Sequence, residues 1–175
     1  GTDTVNGLAG NDKILGDAGV DTLNGGDDND HIYGYAAADI LNGNAGNDLI
    51  YGGKDDDTID GDAGDDSLYG EAGDDTITSG AGNDTLTGGD GNDSLTGGSG
   101  NDTLAGGLGI DTFNVDSGTD TIIDITIDDI LIIASGAIAN VTNVEAFNAN
   151  SSTYSSGQLI LVAANTGGTI NLSQS

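Results

Sequence analysis

Residues 88–96 read Gly88-Gly89-Asp90-Gly91-Asn92-Asp93-Ser94-Leu95-Thr96, and variants of this nine-residue unit fill most of the chain. The order Gly-x-x-Gly-x-Asp is turn chemistry, because glycine adopts positive φ and tolerates close backbone approach. The apolar residue after the aspartate, with a polar residue on each side, predicts a very short strand with one inward side chain. Each unit is therefore predicted to be one turn followed by one strand.

The unit recurs every nine residues without a break, and we number its positions so that Gly88 is the first and Asp93 the sixth. The sixth position is always aspartate: Asp3, Asp12, Asp21, Asp30, Asp39, Asp48, Asp57, Asp66, Asp75, Asp84, Asp93, Asp102, Asp111 and Asp120. The eighth position is always apolar: Val5, Ile14, Leu23, Ile32, Leu41, Ile50, Ile59, Leu68, Ile77, Leu86, Leu95, Leu104, Phe113 and Ile122. The first position is glycine in eleven of the twelve full units, and Ser79 is the exception.

This period predicts the fold class. A strand with one apolar side chain cannot bury it alone, so the units must stack, and two units make one coil of about 18 residues. We therefore expect an all-β parallel β-roll, a β-solenoid in which two sheets face each other across a thin core. The aspartates then form two edge columns, one that starts at Asp3 and one that starts at Asp12.

The charge of the chain restricts its partners. The 175 residues carry a formal charge of -28, with only Lys13 and Lys54 as basic residues and no cysteine. Such a composition is typical of a disordered polyanion unless a cation binds. It excludes nucleic acid, disfavours an anionic membrane surface, and rules out disulfides and thiolate metal sites. No apolar run is long enough for a membrane span.

The two columns predict calcium sites. Carboxylates about 4.8 Å apart repel by about 1 kcal/mol in water and by about 3 to 4 kcal/mol at an effective dielectric of about 20. Ca²⁺ relieves this repulsion with about six to eight oxygen ligands, whereas Mg²⁺ demands a near-ideal octahedron. The predicted ligands are the fourteen aspartates and turn carbonyls such as those of Gly64, Gly73, Gly82, Gly88, Gly91, Gly97, Gly100, Gly106 and Gly109. About twelve ions would bring the charge to about -4.

The unit at residues 88–96 resembles the nonapeptide of RTX (haemolysin-type calcium-binding) proteins, and the resemblance covers about residues 1–123. It implies a right-handed parallel β-roll with Ca²⁺ held by the sixth-position aspartates and main-chain oxygens. It also implies a bacterial protein, secreted or on the cell surface, that leaves through a type I secretion channel with an uncleaved C-terminal signal.

Three units depart from the pattern at the fourth position, where Asp28, Ala37 and Asp55 replace glycine. Aspartate tolerates left-handed backbone, but alanine pays about 1 to 2 kcal/mol if φ must be positive. We therefore predict low occupancy or distortion beside Asp39, and the best binding by the regular repeats at 61–111.

The outer faces carry two further columns. Tyr33, Tyr51 and Tyr69 recur every eighteen residues near Leu15 and Leu49. They are expected to stack for cross-strand stabilisation or as a contact surface for a glycan or another protein. The opposite face presents Thr4, Thr22, Thr58, Thr76 and Thr112 with Asn6, Asn24, Asn42 and Asn114, interrupted by Ile40, Asp60 and Ser94. This array is similar to the ice-binding faces of some β-solenoids.

No catalytic site is predicted. His31 is the only histidine and is expected to face solvent, so no Ser-His-acid arrangement can be recognised. Glu71, Glu145 and turn aspartates such as Asp62, Asp65 and Asp74 are interpreted as solvated surface.

Residues 124–175 are predicted to form a small β-rich segment that caps the roll, contains the secretion signal that the family implies, or does both. Strands are expected at 123–128, 130–134, 159–163 and 169–173, with Asp129 and Leu131 as a degenerate last repeat. Because the sequence starts in mid-repeat, we expect it to be part of a longer protein whose other part holds the activity.

The function we expect is a calcium-binding repeat module of a secreted protein that folds on meeting extracellular Ca²⁺. Three alternatives stay open: a surface-layer or adhesin-type structural module, a non-catalytic module of a secreted protease, lipase or epimerase, and, less favoured, ice binding.

Overall fold

A computed structural model describes residues 1–126 and 128–142, together with the strand residues 147–149, 158–162 and 170–172. Within these ranges the regular structure consists of strands and contains no helix. The strands are β1 Thr4–Ala9, β2 Lys13–Leu15, β3 Thr22–Asp27, β4 His31–Ala36, β5 Ile40–Ala45, β6 Leu49–Lys54, β7 Thr58–Ala63, β8 Ser67–Ala72, β9 Thr76–Thr78, β10 Thr85–Asp90, β11 Ser94–Thr96, β12 Ser99–Gly100, β13 Thr103–Leu108, β14 Thr112–Val115, β15 Ser117–Ile122, β16 Ile130–Ile133, β17 Ile138–Thr142, β18 Phe147–Ala149, β19 Gln158–Val162 and β20 Ile170–Leu172.

Successive strands from β1 to β11 alternate between two parallel sheets, and β18 and β20 form a third, two-stranded sheet. One sheet has the order β1-β3-β5-β7-β9-β11-β14-β16, and the other has the order β19-β17-β15-β13-β10-β8-β6-β4-β2 with β12 beside β15. Partners up to Ile122 lie 18 residues apart, as in Thr4↔Thr22 and Leu104↔Ile122. The predicted β-solenoid of two units per coil is therefore confirmed, with about eight turns.

The core is a thin layer between the two sheets. The eighth-position side chains from Ile14 to Ile122 are all buried, with Leu23, Leu86 and Phe113 at 0% exposure, while Val5 is partly buried. One apolar side chain for every nine residues is a small core, so coil-to-coil hydrogen bonds and the turns must supply much of the cohesion.

The coils continue beyond the repeats. Strand β16 pairs with β14, β17 with β15, and β19 with β17, all in parallel. The register lengthens from 18 residues to 19 for Asp120↔Ala139 and to 20 for Ala139↔Leu159. The strands predicted at 130–134, 159–163 and 169–173 correspond to β16, β19 and β20, and residues 163, 169 and 173 lie outside the described residues. That this segment caps the roll stays a prediction.

The strand predicted at 123–128 is wrong for the described residues of that range. Strand β15 ends at Ile122, Ile123 is 38% exposed, and Ile125 is buried outside any strand. Two carboxylates accept backbone hydrogen bonds around this segment instead. Asp124 accepts hydrogen bonds from Gly106 N–H and Gly107 N–H, both at 3.0 Å, and Oδ2 of Asp129 accepts one from Thr126 N–H at 2.6 Å. Ile127 lies outside the described residues.

Candidate metal centre

The fourteen sixth-position aspartates form two columns, one along each edge of the roll. Their side chains are buried from Asp21 to Asp120, with exposures of 0 to 2%, whereas Asp12 is half-buried and Asp3 is exposed. A row of buried carboxylates is costly unless each has a partner, because burial removes the hydration of the charge. The column geometry predicted from the period is therefore present.

From Asp21 onward, one oxygen of each column carboxylate has a backbone partner. Oδ1 of Asp75 accepts a hydrogen bond at 2.8 Å from the N–H of Asp57, the column neighbour in the preceding coil. The same bond joins successive aspartates from Asp3–Asp21 to Asp111–Asp129, at 2.6 to 3.0 Å. The aspartates thus also hold neighbouring coils together, a role that the sequence reasoning did not foresee.

The second oxygen has no such partner. Oδ2 is buried without a hydrogen-bond partner in twelve column residues: Asp12, Asp21, Asp30, Asp39, Asp48, Asp57, Asp66, Asp75, Asp84, Asp93, Asp102 and Asp120. An unpaired buried acceptor costs about 1 to 3 kcal/mol, and more when it is charged. A cation between the coils would satisfy these oxygens.

Burial raises the pKa of the column carboxyls. The pKa rises to about 7 for Asp57, Asp66, Asp75 and Asp102 and to about 6 for Asp93 and Asp111. Hydrogen bonds from the backbone of the preceding coil lower the pKa of these groups, and the charges of column neighbours raise it further. A bound cation would favour the charged form instead.

Most first-position glycines let a carboxylate Oδ2 and a carbonyl oxygen of the next coil converge beside the backbone, and the oxygen-lined space is the region between these two oxygens. A Cβ atom on Gly34 would lie 2.6 Å from Oδ2 of Asp39 and 2.6 Å from the carbonyl oxygen of Gly52. A Cβ on Gly16 would similarly lie 2.8 Å from Oδ2 of Asp21. The absence of a side chain therefore leaves a carboxylate oxygen and a carbonyl oxygen facing the same point. Hard oxygen donors of this kind suit Ca²⁺.

The predicted carbonyl ligands divide into two groups. Oxygens of the first-position residues Gly88 and Gly106 face such spaces, beside Gly70 and Gly88 respectively, while that of Gly97 accepts a hydrogen bond from Ser79. Oxygens of fourth-position residues point along the stack, toward the place where a Cβ on the glycine eighteen residues on would lie. This group comprises Gly64, Gly73, Gly82, Gly91 and Gly100. The oxygen of Gly91 faces Gly109 in this way.

Backbone φ is positive at the fourth position even where glycine is missing. Asp28 has a φ of 79°, Ala37 of 83° and Asp55 of 72°. The predicted steric penalty at Ala37 therefore applies. Asp39 nevertheless keeps the same contacts as its neighbours, with Oδ1 bonded to Asp21 N–H at 2.7 Å. Reduced occupancy beside Asp39 stays a prediction, as does the best binding at 61–111.

A second polar ladder runs along the fifth position, at the exposed surface of the turns. Oδ1 of Asp65 accepts a hydrogen bond from Asn83 N–H at 2.8 Å, and Oδ1 of Asp74 accepts one from Asn92 N–H at 2.7 Å. The interpretation of Asp65 and Asp74 as merely solvated was therefore incomplete. Asparagine or aspartate at every ninth residue over 83–101 was the signal that could have found this ladder.

The described residues contain no cluster of three or more histidine, cysteine, aspartate or glutamate side chains arranged for a metal ion. His31 and Glu71 are exposed, as expected, whereas Glu145 lies outside the described residues. In the part of the chain that the structure describes, no helix has the length and apolar character needed to span a membrane.

Comparison with protein families agrees with this geometry. The family model described as RTX calcium-binding nonapeptide repeat matches residues 1–32, 33–68, 51–86, 78–113 and 87–122. The chain belongs to this family. Its RTX repeats form a calcium-binding structural module, and the match ends where the register of the coils begins to lengthen. Searches of curated proteins and of solved structures gave no match.

Proposed function

We propose that the column aspartates and first-position carbonyls bind Ca²⁺, and that binding folds the chain after it has left the cell. The observation that carries this proposal is the set of twelve buried Oδ2 atoms without hydrogen-bond partners. They lie in the two edge columns that the RTX repeats form. Calcium would supply the positive charge and the oxygen coordination that these atoms lack.

The coupling to folding follows from mass action. The paired oxygens come from different coils, so the binding spaces exist only when the coils have stacked. Each ion that binds only the folded chain stabilises it by about 2.7 kcal/mol at a concentration of about 100 Kd. With a net charge of -28, the ion-free chain is strongly self-repelling. Low calcium inside the cell would therefore keep the chain extended, in a form suited to export.

Secretion through a type I channel, and location outside a bacterial cell, belong to this proposal and are supported by the family alone. A calcium-binding repeat solenoid also fits a module without catalytic activity. Any catalytic role would then belong to another part of a longer protein.

The test is far-UV circular dichroism of the chain in millimolar CaCl₂, in millimolar MgCl₂, and in excess EGTA at matched ionic strength. We expect strand signal in calcium, little in magnesium, and a disordered spectrum in EGTA. Strand signal that persists unchanged in EGTA would refute the proposal.

A further inference from the structure

The first repeat position controls the space beside each column carboxylate. At nine first positions, the place where a Cβ would lie is within 2.9 Å of both the Oδ2 of the same turn and a carbonyl oxygen of the next coil. These are Gly7, Gly16, Gly25, Gly34, Gly43, Gly52, Gly61, Gly70 and Gly88. A side chain at this position would displace one or both oxygens.

Ser79 is the one first-position residue between Gly7 and Gly106 that carries a side chain. It is fully buried, and its hydroxyl donates a hydrogen bond to the carbonyl oxygen of Gly97 at 2.6 Å. That carbonyl corresponds to the oxygens that face the glycine spaces in other coils. Burial raises the pKa of Asp84, in the same turn, and the nearby Ser79 hydroxyl opposes that rise, although Oδ2 of Asp84 makes no well-formed hydrogen bond. The serine hydroxyl therefore lies between the carboxylate of Asp84 and the carbonyl oxygen of Gly97, and that carbonyl is no longer free.

We propose that the first-position residue decides whether a turn binds a cation, and that Ser79 closes the turn that contains Asp84. The inference rests on the proposed calcium binding and adds a rule for which turns take part. The serine hydroxyl makes the contact with the carbonyl oxygen that we propose for an ion in other turns. Neighbouring coils are therefore joined at this turn without a metal.

The rule changes the expected arrangement of ions. Spaces with both oxygens run without a gap from Gly16 to Gly88 along one edge. Along the other edge they run from Gly7 to Gly61 and stop at Ser79. Beyond it, the three atoms nearest to a Cβ on Gly97 all belong to Asp102. Nine complete spaces remain, fewer than the twelve or so gaps between aspartates.

The same position accounts for the C-terminal end of each column. Val115 occupies it on the edge interrupted by Ser79 and is 1% exposed. Asp124 occupies it on the other edge, where its carboxylate binds the N–H groups of Gly106 and Gly107. Both positions carry a side chain where the repeats have glycine.

The experiment counts bound calcium per chain by equilibrium dialysis and elemental analysis, with circular dichroism in saturating calcium to confirm folding. Ser79→Gly should bind one more ion than the unaltered chain. Ser79→Ala removes the hydroxyl but keeps Cβ, so its count should not change. Gly88→Ser, on the uninterrupted edge, should bind one ion fewer.

An unchanged count in Ser79→Gly would overturn the rule, as would a gain in Ser79→Ala equal to that in Ser79→Gly. Either result would leave calcium binding itself intact. Absence of calcium from the unaltered folded chain would instead refute the proposed function. If Gly88→Ser does not fold, the two Ser79 variants still decide the question.

Discussion

The two oxygens of most column aspartates have different surroundings. From Asp21 onward Oδ1 accepts a hydrogen bond from a backbone N–H of the preceding coil, whereas the Oδ2 atoms that lack a hydrogen-bond partner are those we propose for an ion. Asparagine can accept the same hydrogen bond but brings no charge for the ion. Variants at single aspartates therefore separate coil-to-coil hydrogen bonding from cation binding.

Asp75→Asn should weaken calcium-dependent folding. The variant keeps an oxygen acceptor for Asp57 N–H and loses the charge of a carboxyl whose pKa burial raises to about 7. We expect the calcium concentration at the folding midpoint to rise roughly tenfold, which corresponds to about 1.4 kcal/mol. Calcium titration followed by circular dichroism measures this midpoint.

Asp74→Asn is the matched control, because it changes the net charge equally. Asp74 is exposed, and Asn83 and Asn92 occupy its position in other units, so its acceptor role survives. Its midpoint should stay within about twofold of the unaltered chain. Equal shifts in both variants would mean that only net charge matters.

Ala37→Gly should stabilise the calcium-loaded protein. Ala37 has a φ of 83°, which costs an L-residue energy that glycine does not pay. We expect a gain of roughly 0.5 to 1 kcal/mol after the greater freedom of glycine in the unfolded chain is subtracted. Urea unfolding in saturating calcium tests it. Ala45→Gly, in β5 and without positive φ, should destabilise the protein instead.

At the scale of the elements, side-chain ladders fasten neighbouring strands. The ring centroids of Tyr33 and Tyr51 lie 5.2 Å apart at 9°, and those of Tyr51 and Tyr69 lie 4.8 Å apart at 12°. The predicted aromatic stack is confirmed. Both ring faces of Tyr51 are covered by its neighbours, which favours cross-strand stabilisation over recognition of a glycan by an open ring face. A contact role for this column stays a prediction.

Tyr51→Thr should therefore lower the stability of the calcium-loaded protein. Each aromatic pair contributes about 0.5 to 1.5 kcal/mol beyond area burial, so the loss of two pairs should cost roughly 1 to 3 kcal/mol. Threonine suits the position, because Thr87 occupies the same column beside Tyr69. Thr87→Ser is the control and should change the urea midpoint little. An unaltered urea midpoint in Tyr51→Thr would show that the aromatic stack does not stabilise the fold.

The amide ladder on the opposite sheet has the same fastening role. Nδ2 of Asn24 donates to Oδ1 of Asn6 at 2.9 Å, and Nδ2 of Asn42 donates to Oδ1 of Asn24 at 2.8 Å. The ladder changes at Asp60, which is paired with Asn42 and has no amide to donate. Ice binding by this face stays an untested alternative.

For the whole molecule, stability should depend on protons as well as on calcium. Burial raises the pKa of several column carboxyls to about 6 or 7, above the value of about 3.9 for an unfolded aspartate. The folded chain thus binds protons more tightly than the unfolded chain. In the absence of calcium, this contribution is complete below about pH 4 and is lost as the pH rises through about 6 to 7.

We therefore expect metal-stripped protein to gain strand signal when the pH falls from 7.5 to 5.5. Protons and calcium compete for the same oxygens, so the calcium midpoint should rise over the same interval. Circular dichroism at both pH values, with and without calcium, measures both effects. A calcium midpoint that does not depend on pH would argue that the raised carboxyls are not the ligands.

The nine-residue period alone determined the two sheets, the apolar ladder and the edge columns, because each unit repeats one turn and one inward side chain. Only the stacked structure decided which carboxylate oxygen accepts a backbone hydrogen bond and which is buried without a partner, since this depends on contacts eighteen residues apart. Positive φ at Leu8 and Tyr35, by contrast, follows the repeat, because glycine stands at the same second position in other units. The buried hydroxyl of Ser79, which bonds to Gly97, and the carboxylate of Asp124, which bonds to Gly106, were decided by the tertiary structure. In both cases the neighbouring coil supplies the contact, so the local sequence cannot show it.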